Sequence, residues 1–312
     1  MNEIITTTGN TEIVESIAIS EELLYKWESY VDVKPKSKET YSKAIRVFLQ
    51  YLIDNDIKQP TREDIISWRD SLKETRKATT IQTYLTSVKL FFAWLEQEGI
   101  YKNVAEHIKG VKIDKGHKKD YLTSNQCKKV IASIDASTLK GLRDKAIVSL
   151  MLTTGLRTIE VVRANIEDMR VVGDYTALFI QGKGHDEKTD YVKLAPQVED
   201  IIRDYLKARG EAQACDPLFT STSRNNKGQR MTTRSISSIA KESLVDAGYN
   251  SDRLTAHSFR HTAGTLALMN GVELEQVQQM LRHTSINTTM IYMHSIERAK
   301  NDSELKVANA IF

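Results

Sequence analysis

Between Thr255 and Tyr292 the chain must fold as three short helices packed on one another, and this stretch limits what the remainder can be. Val272, Leu274, Val277, Met280 and Leu281 recur at helical spacing, so an amphipathic helix is expected there. Asn270-Gly271 marks the turn before it, and His283 falls at its C-terminal end. Upstream, His257 and Arg260 stand three residues apart and share one face of a preceding helix. Downstream, Ser285 or Asn287 can cap a third helix, which presents Tyr292 about one and a half turns later. Packing the apolar faces of these helices delivers an arginine, two histidines and a tyrosine to one place.

Few reactions need that set. A phenol with pKa about 10 is a poor nucleophile at neutral pH unless its proton is accepted or the charge forming opposite is stabilised. Arginine forks onto a phosphate and stays charged. Imidazole titrates near neutrality, so it can move protons or donate to a phosphate oxygen. Attack of a tyrosine on a phosphodiester uses all three.

His257-Ser258-Phe259-Arg260-His261, Leu281-Arg282-His283 and Thr288-Thr289-Met290-Ile291-Tyr292 resemble the C-terminal signature of the tyrosine recombinases, or phage-type integrases. Thr154-Gly155-Leu156-Arg157-Thr158-Ile159-Glu160 lies about a hundred residues earlier, as in that family. The resemblance covers roughly the last two-thirds of the chain and rests on several motifs agreeing in order. Most members have glycine before the second histidine, where this chain has Arg282, at a turn position or a DNA contact. An isolated Arg157 would be expected to satisfy helix-end carbonyls or pair with Glu160. The resemblance assigns it to the scissile phosphate, with Arg260, His257 and His283 beside it and Tyr292 as nucleophile.

Size and charge set looser bounds. The 312 residues suit one large or two ordinary domains. With 40% hydrophobic and 27% charged residues the chain reads as globular, and its net charge of +3 would not by itself suggest nucleic acid. Cys127 and Cys215 cannot make a disulfide framework and point to a reducing compartment. No apolar run reaches the roughly 18 residues of a membrane span, and the start of the chain lacks a signal peptide, so a cytoplasmic protein is expected.

The expected fold is mainly α with a small β-hairpin or sheet. Residues 1–18 read as a flexible arm. From 19 to 108 the pattern is helical: Ser20 caps a first helix and Ser37 a second, with Tyr41, Ile45, Phe48, Leu49 and Leu52 on one stripe. Pro60-Thr61 starts a third, and Thr79 or Thr80 a fourth that Gly99 closes. Four such helices make a small bundle. Its Lys36, Lys38, Lys43, Arg76, Lys77 and Lys89 read alone as solvated surface. The resemblance implies a helical, SAM-like core-binding domain that clamps DNA together with the catalytic domain, which turns them into phosphate contacts at helix starts.

Residues 109–120 form the expected linker. Six lysines against two acids lie between Lys102 and Lys119, and Lys112, Lys115, Lys118 and Lys119 could touch phosphates as it crosses the duplex. The catalytic domain, 121–312, opens with a helix from Thr123 and a strongly apolar one from Leu139 to Thr154, which Gly155 ends. Tyr175–Ile180 and residues 190–194 read as strands flanking a turn-rich segment, Gly182 to Lys188. In the family a Gly-Lys-Gly turn here carries the lysine that protonates the departing sugar oxygen. Lys183 matches it, and Lys188 is its rival. Neighbouring arginines would depress such a lysine's pKa and fit it for acid catalysis. A helix begun at Thr232 or Thr233 is the candidate for major-groove contact, through Arg234 and Lys241. His261 and His294 read as packing or helix-end residues.

The resemblance implies site-specific recombination: cleavage and rejoining of double-stranded DNA through a 3′-phosphotyrosine link, for integration, excision, inversion or resolution. It also implies a homotetramer on two DNA sites, a monomer or weak dimer when free, and room for an accessory directionality factor. The apolar side of the tail, Leu305, Val307, Ala308 and Ile311, would dock on a neighbouring protomer. Because the link conserves the phosphodiester energy, neither ATP, metal nor other cofactor is expected. A type IB topoisomerase and a non-catalytic DNA-binding regulator are the alternatives.

Overall fold

The computed structural model describes residues 20–113, 120–182 and 187–312, with the backbone alone at 295 and 298–300. The chain splits into two compact units between 116 and 117. The arm expected at 1–18 lies outside the described residues.

In the first unit the described residues build α1 (Glu21–Tyr30), α2 (Pro35–Asp54), α3 (Arg62–Ser71) and α4 (Ala78–Gln97). Ser20 and Thr61 cap α1 and α3 by accepting from amides in their first turns. The two long helices begin differently, after Lys34 and Lys77, with no side-chain cap. The starts expected at Ser37 and at Thr79 or Thr80 were therefore too late. Proline has its φ fixed for a first turn, so α2 opens on Pro35, and Ala78 extends α4 without needing a hydroxyl. Gly99, at φ 66°, closes α4 as expected. Edge-to-face aromatic pairs fill the core: Trp27 on Phe91 at 5.8 Å, Phe48 on Trp68 at 5.0 Å and on Phe92 at 5.8 Å. Such pairs add about 0.5–1.5 kcal/mol each beyond the area they bury.

The second unit is organised around one buried helix. Its elements are α5 (Ser124–Ala132), α6 (Leu139–Thr154), α7 (Thr158–Arg163), β1 (Met169–Val172), β2 (Tyr175–Ile180), β3 (Asp190–Lys193), α8 (Pro196–Arg209), α9 (Thr233–Asp246), α10 (Ala256–Met269), α11 (Leu274–Leu281), α12 (Ile286–Lys300) and α13 (Ser303–Ile311). Residues on every side of α6 are buried, because α5, α8, α9 and α10 all pack on it. The strands form one antiparallel sheet, β1-β2-β3, in which Leu178 pairs with both Met169 and Val192. The small sheet is as expected, with β1 added to the two strands read from the sequence. β1 is four residues long and largely exposed, too short for alternation to announce it. No residue of α13 is buried. Among the described residues no helix is long and apolar enough to cross a membrane.

Candidate active site

α10, α11 and α12 pack pairwise, and Val277, Leu281 and Tyr292 form their small shared core. Tyr292, on α12, is 3% exposed. It fits because α10 carries Gly264 opposite it: a Cβ there would stand 2.9 Å from Cε2 of the ring and 2.9 Å from Leu281 Cδ1. One turn earlier on α12, the buried Thr289 hydroxyl lies 2.9 Å from His283 Nδ1 and fixes that imidazole's orientation. The His283 and Tyr292 rings are 6.0 Å apart, and His261 packs edge-on between Tyr292 and His257, 4.9 Å from each.

The arginines converge on the C-terminal end of α11. Gly155, left-handed at φ 64°, ends α6 and turns the chain so that Arg157 becomes the N-cap of α7. Glu160 accepts from the Arg157 amide at 2.7 Å and from its Nη1 at 2.8 Å. Arg260 donates to the carbonyl of Gly155 at 2.7 Å and to that of Leu281. Arg157 Nη2 reaches the next carbonyl, that of Arg282, at 3.3 Å. Two adjacent carbonyls that a helix end leaves without intrahelical partners thus each hold one arginine. Arg282 turns its own fork onto Glu160 Oε2 at 2.9 Å and the Met280 carbonyl at 2.6 Å.

Burial and like charge set the titrations. Burial, then Arg157 and Arg282, lower Arg260 to about 10, which leaves it charged at neutral pH. Burial, then Arg260, Arg157 and Arg282, lower His283 to about 4, so its imidazole is neutral at pH 7. Burial raises the Tyr292 phenol, with Arg260 and Arg157 pulling it back in part. For Glu160 burial alone would raise the carboxyl, but Arg282 and Arg157 outweigh it and hold it below the usual range. The result is a neutral phenol and a neutral imidazole beside cations, an arrangement suited to receiving an anion.

Arg157, His257 and Arg260 line a cleft of about 580 Å³, together with Thr255, Ser237 and Lys241. His257 is exposed while Arg260, one turn on, is 2% exposed. Lys183 lies outside the described residues, as do Lys115, Lys118 and Lys119. Lys188 is committed elsewhere, its Nζ 2.5 Å from the buried Asp168 carboxylate. Lys241 donates to the Ser251 carbonyl at 2.7 Å, and Arg234 is exposed on the first turn of α9. In the first unit Lys43, Arg76, Lys77 and Lys112 are exposed, Lys38 and Lys89 half-buried, and Lys36 pairs with Glu39 at 2.7 Å. His294, at the surface, faces Glu297 at 3.4 Å.

Sequence reasoning gave no role to Gly264 or Thr289, named Glu160 only as a pair for an isolated Arg157, and read Arg282 as a turn position or a DNA contact rather than as a partner of Glu160. Two signals were available: the i, i+3 spacing of Arg157 and Glu160, which suits a capping box, and a glycine in mid-helix. The hydroxyl and the second fork had none, since their partners are distant in sequence.

Two family models match: the phage integrase family over residues 120–298, and the phage integrase N-terminal SAM-like domain over 31–99. The chain is 30% identical over 268 residues to the tyrosine recombinase XerD of Oceanobacillus iheyensis, covering 82% of this chain and 86% of that protein. Its fold is similar to that of the XerH site-specific recombinase bound to a palindromic difH substrate in a post-cleavage complex. That likeness has a TM-score of 0.72 at 21% identity over 94% of this chain and 85% of the other. It is also similar to a lambda integrase tetramer bound to a Holliday junction, with a TM-score of 0.66 at 16% identity over 85% and 77%.

Proposed function

Since the chain belongs to the phage integrase family, the tyrosine recombinases, we propose that it cuts and rejoins double-stranded DNA at specific sites with Tyr292 as the nucleophile. The Tyr292 oxygen bonds to phosphorus and the bond to the 5′ oxygen breaks, which leaves a 3′-phosphotyrosine and a 5′-hydroxyl. Arg157 and Arg260 stabilise the charge growing on the non-bridging oxygens, the interaction that contributes most in such sites. Thr289 occupies Nδ1 of His283, which directs Nε2 to a phosphate oxygen. His257 takes the tyrosine proton or supports the phosphate, and Lys183, with Lys188 as rival, protonates the leaving oxygen. Attack by the 5′-hydroxyl of a partner strand reverses the step. The observation that carries this reading is the pair of arginines on the Leu281 and Arg282 carbonyls, next to the buried Tyr292.

The same reading divides the chain into an arm at 1–18, a core-binding domain at 19–108, a linker at 109–120 and a catalytic domain at 121–312. Lys36, Lys38, Lys43, Arg76, Lys77, Lys89, the linker lysines, Arg234 and Lys241 contact DNA. The working assembly is a homotetramer on two sites, formed from monomers or weak dimers in the cytoplasm, with an accessory factor setting direction. The lambda integrase tetramer supports it, as does α13, where Leu305 and Ile311 are 63% and 69% exposed. A nicked duplex, with a sequence selected by the protein from random DNA, tests the chemistry. Wild type should form a denaturant-resistant protein–DNA adduct and Tyr292→Phe none; an adduct with the phenylalanine variant would reject Tyr292.

A further inference from the structure

Arg282 occupies a position that its backbone makes costly. It caps α11 at φ 54°, ψ 50°, the left-handed region that glycine enters freely and arginine does not. Among the described residues only Asp56 and His107 share that trait without being glycine. Both are exposed and of types that tolerate the conformation. Arg282 is neither, for its side chain is 11% exposed.

Its fork closes a three-charge bridge. Glu160, with 0% of its side chain exposed, takes Arg157 on Oε1 and Arg282 on Oε2. The two guanidinia divide the work. Arg282, with 11% of its side chain exposed, spends its second nitrogen on the Met280 carbonyl, whereas Arg157 keeps 30% of its side chain exposed and lines the cleft. A carboxylate facing Arg157 alone, in a poorly solvated place, would cancel the charge that the phosphate needs. Two cations on one anion leave a net positive bridge beside Arg260.

Resting on the tyrosine-recombinase reading above, we propose that Arg282 is a positioning residue: it shares the Glu160 carboxylate, so that Arg157 stays both fixed and positively charged toward the scissile phosphate. Arg282 itself touches no reacting atom.

The test compares variants on the nicked, wild-type-selected duplex with either a phosphate or an uncharged methylphosphonate at the scissile position. Arg282→Gly relaxes the backbone but leaves the buried Glu160 carboxylate with Arg157 alone, so the variant should fold with a melting temperature at or below that of wild type, and its DNA affinity should stay within about threefold. Its rate of adduct formation on the phosphate should fall about 10- to 100-fold. On the methylphosphonate, which carries one negative charge fewer through the transition state, its rate should return to within about threefold of wild type. Arg282→Lys, retaining the charge, should recover part of the loss on the phosphate, and Arg282→Met, retaining only bulk, none. These two carry the comparison if the glycine variant misfolds. Equal rates of Arg282→Gly and wild type on the phosphate, or equal losses on both substrates, would overturn the proposal. Absence of any wild-type adduct would instead overturn the reading of the whole site, and this inference with it.

Discussion

The two units bury different things. The first keeps charge outside: among the described residues its one fully buried polar side chain is Ser87, in a core of Trp27, Phe48, Trp68, Phe91 and Phe92. The second buries Arg143, Asp144, Glu160, Asp168 and Arg260 beside its apolar core. A buried ion pair seldom stabilises a protein more than well-packed apolar residues would, because desolvation offsets the attraction. The difference therefore shows where the molecule has given up stability. Of these, Glu160 and Arg260 belong to the proposed site, while Arg143 pairs with Asp144 and Asp168 with Lys188 outside it; the first unit is packed with rings instead.

Conservative substitutions should separate the two units most clearly. Glu160→Gln keeps the shape but leaves Arg157 and Arg282 without a counter-ion, and should cost about 3–5 kcal/mol in urea unfolding of the whole chain. Leu85→Met, apolar for apolar at a fully buried position of α4, should cost no more than about 1.5 kcal/mol. Equal losses would erase the contrast.

Titration gives the next largest effect. His283 is lowered to about 4 in the folded chain by burial and then by Arg260 and Arg157, against an ordinary value near 6.5. Between those two pH values the unfolded state binds the extra proton, so stability rises with pH through the window and is lost as pH falls through it. Because His283 is only half-buried and solvent screens its charge in part, the loss from pH 7 to 4 should be on the order of 2 kcal/mol. His283→Asn should remove that slope while leaving contributions from other groups. Aromatic packing in the first unit should contribute no slope of this kind.

Much of this was legible in the sequence. The apolar stripe of α2, the helical spacing before His283, the apolar run of α6, the starting residues Ser20, Thr61 and Thr123, and the helix ends at Gly99 and Gly155 are local properties, and local rules describe them. The residue types of the site were legible too, because attack on a phosphodiester restricts them strongly. What was hidden is how they are held. Nothing near Arg260 in sequence indicates that its fork ends on the carbonyls of Gly155 and Leu281, and nothing near Glu160 announces Arg282. β1 escaped because four half-exposed residues carry no usable period, and the start of α2 because Pro35 replaces a hydroxyl cap.

The smallest effect concerns charge left on the surface. Lys112, exposed in the first unit, is proposed to meet a phosphate. Lys112→Ala should leave unfolding unchanged and reduce the slope of log affinity against log salt by about 1. An unchanged slope would return Lys112 to ordinary solvated surface.

The most direct test of the central claim identifies the atom that carries the DNA. After the wild-type adduct is trapped on a nicked duplex, nuclease and protease digestion followed by mass spectrometry locates the modified residue. The account predicts a nucleotide joined through its 3′ phosphate to Tyr292, within the peptide of α12, and a free 5′-hydroxyl on the released strand. Modification of any other residue, or attachment through a 5′ phosphate, would contradict it.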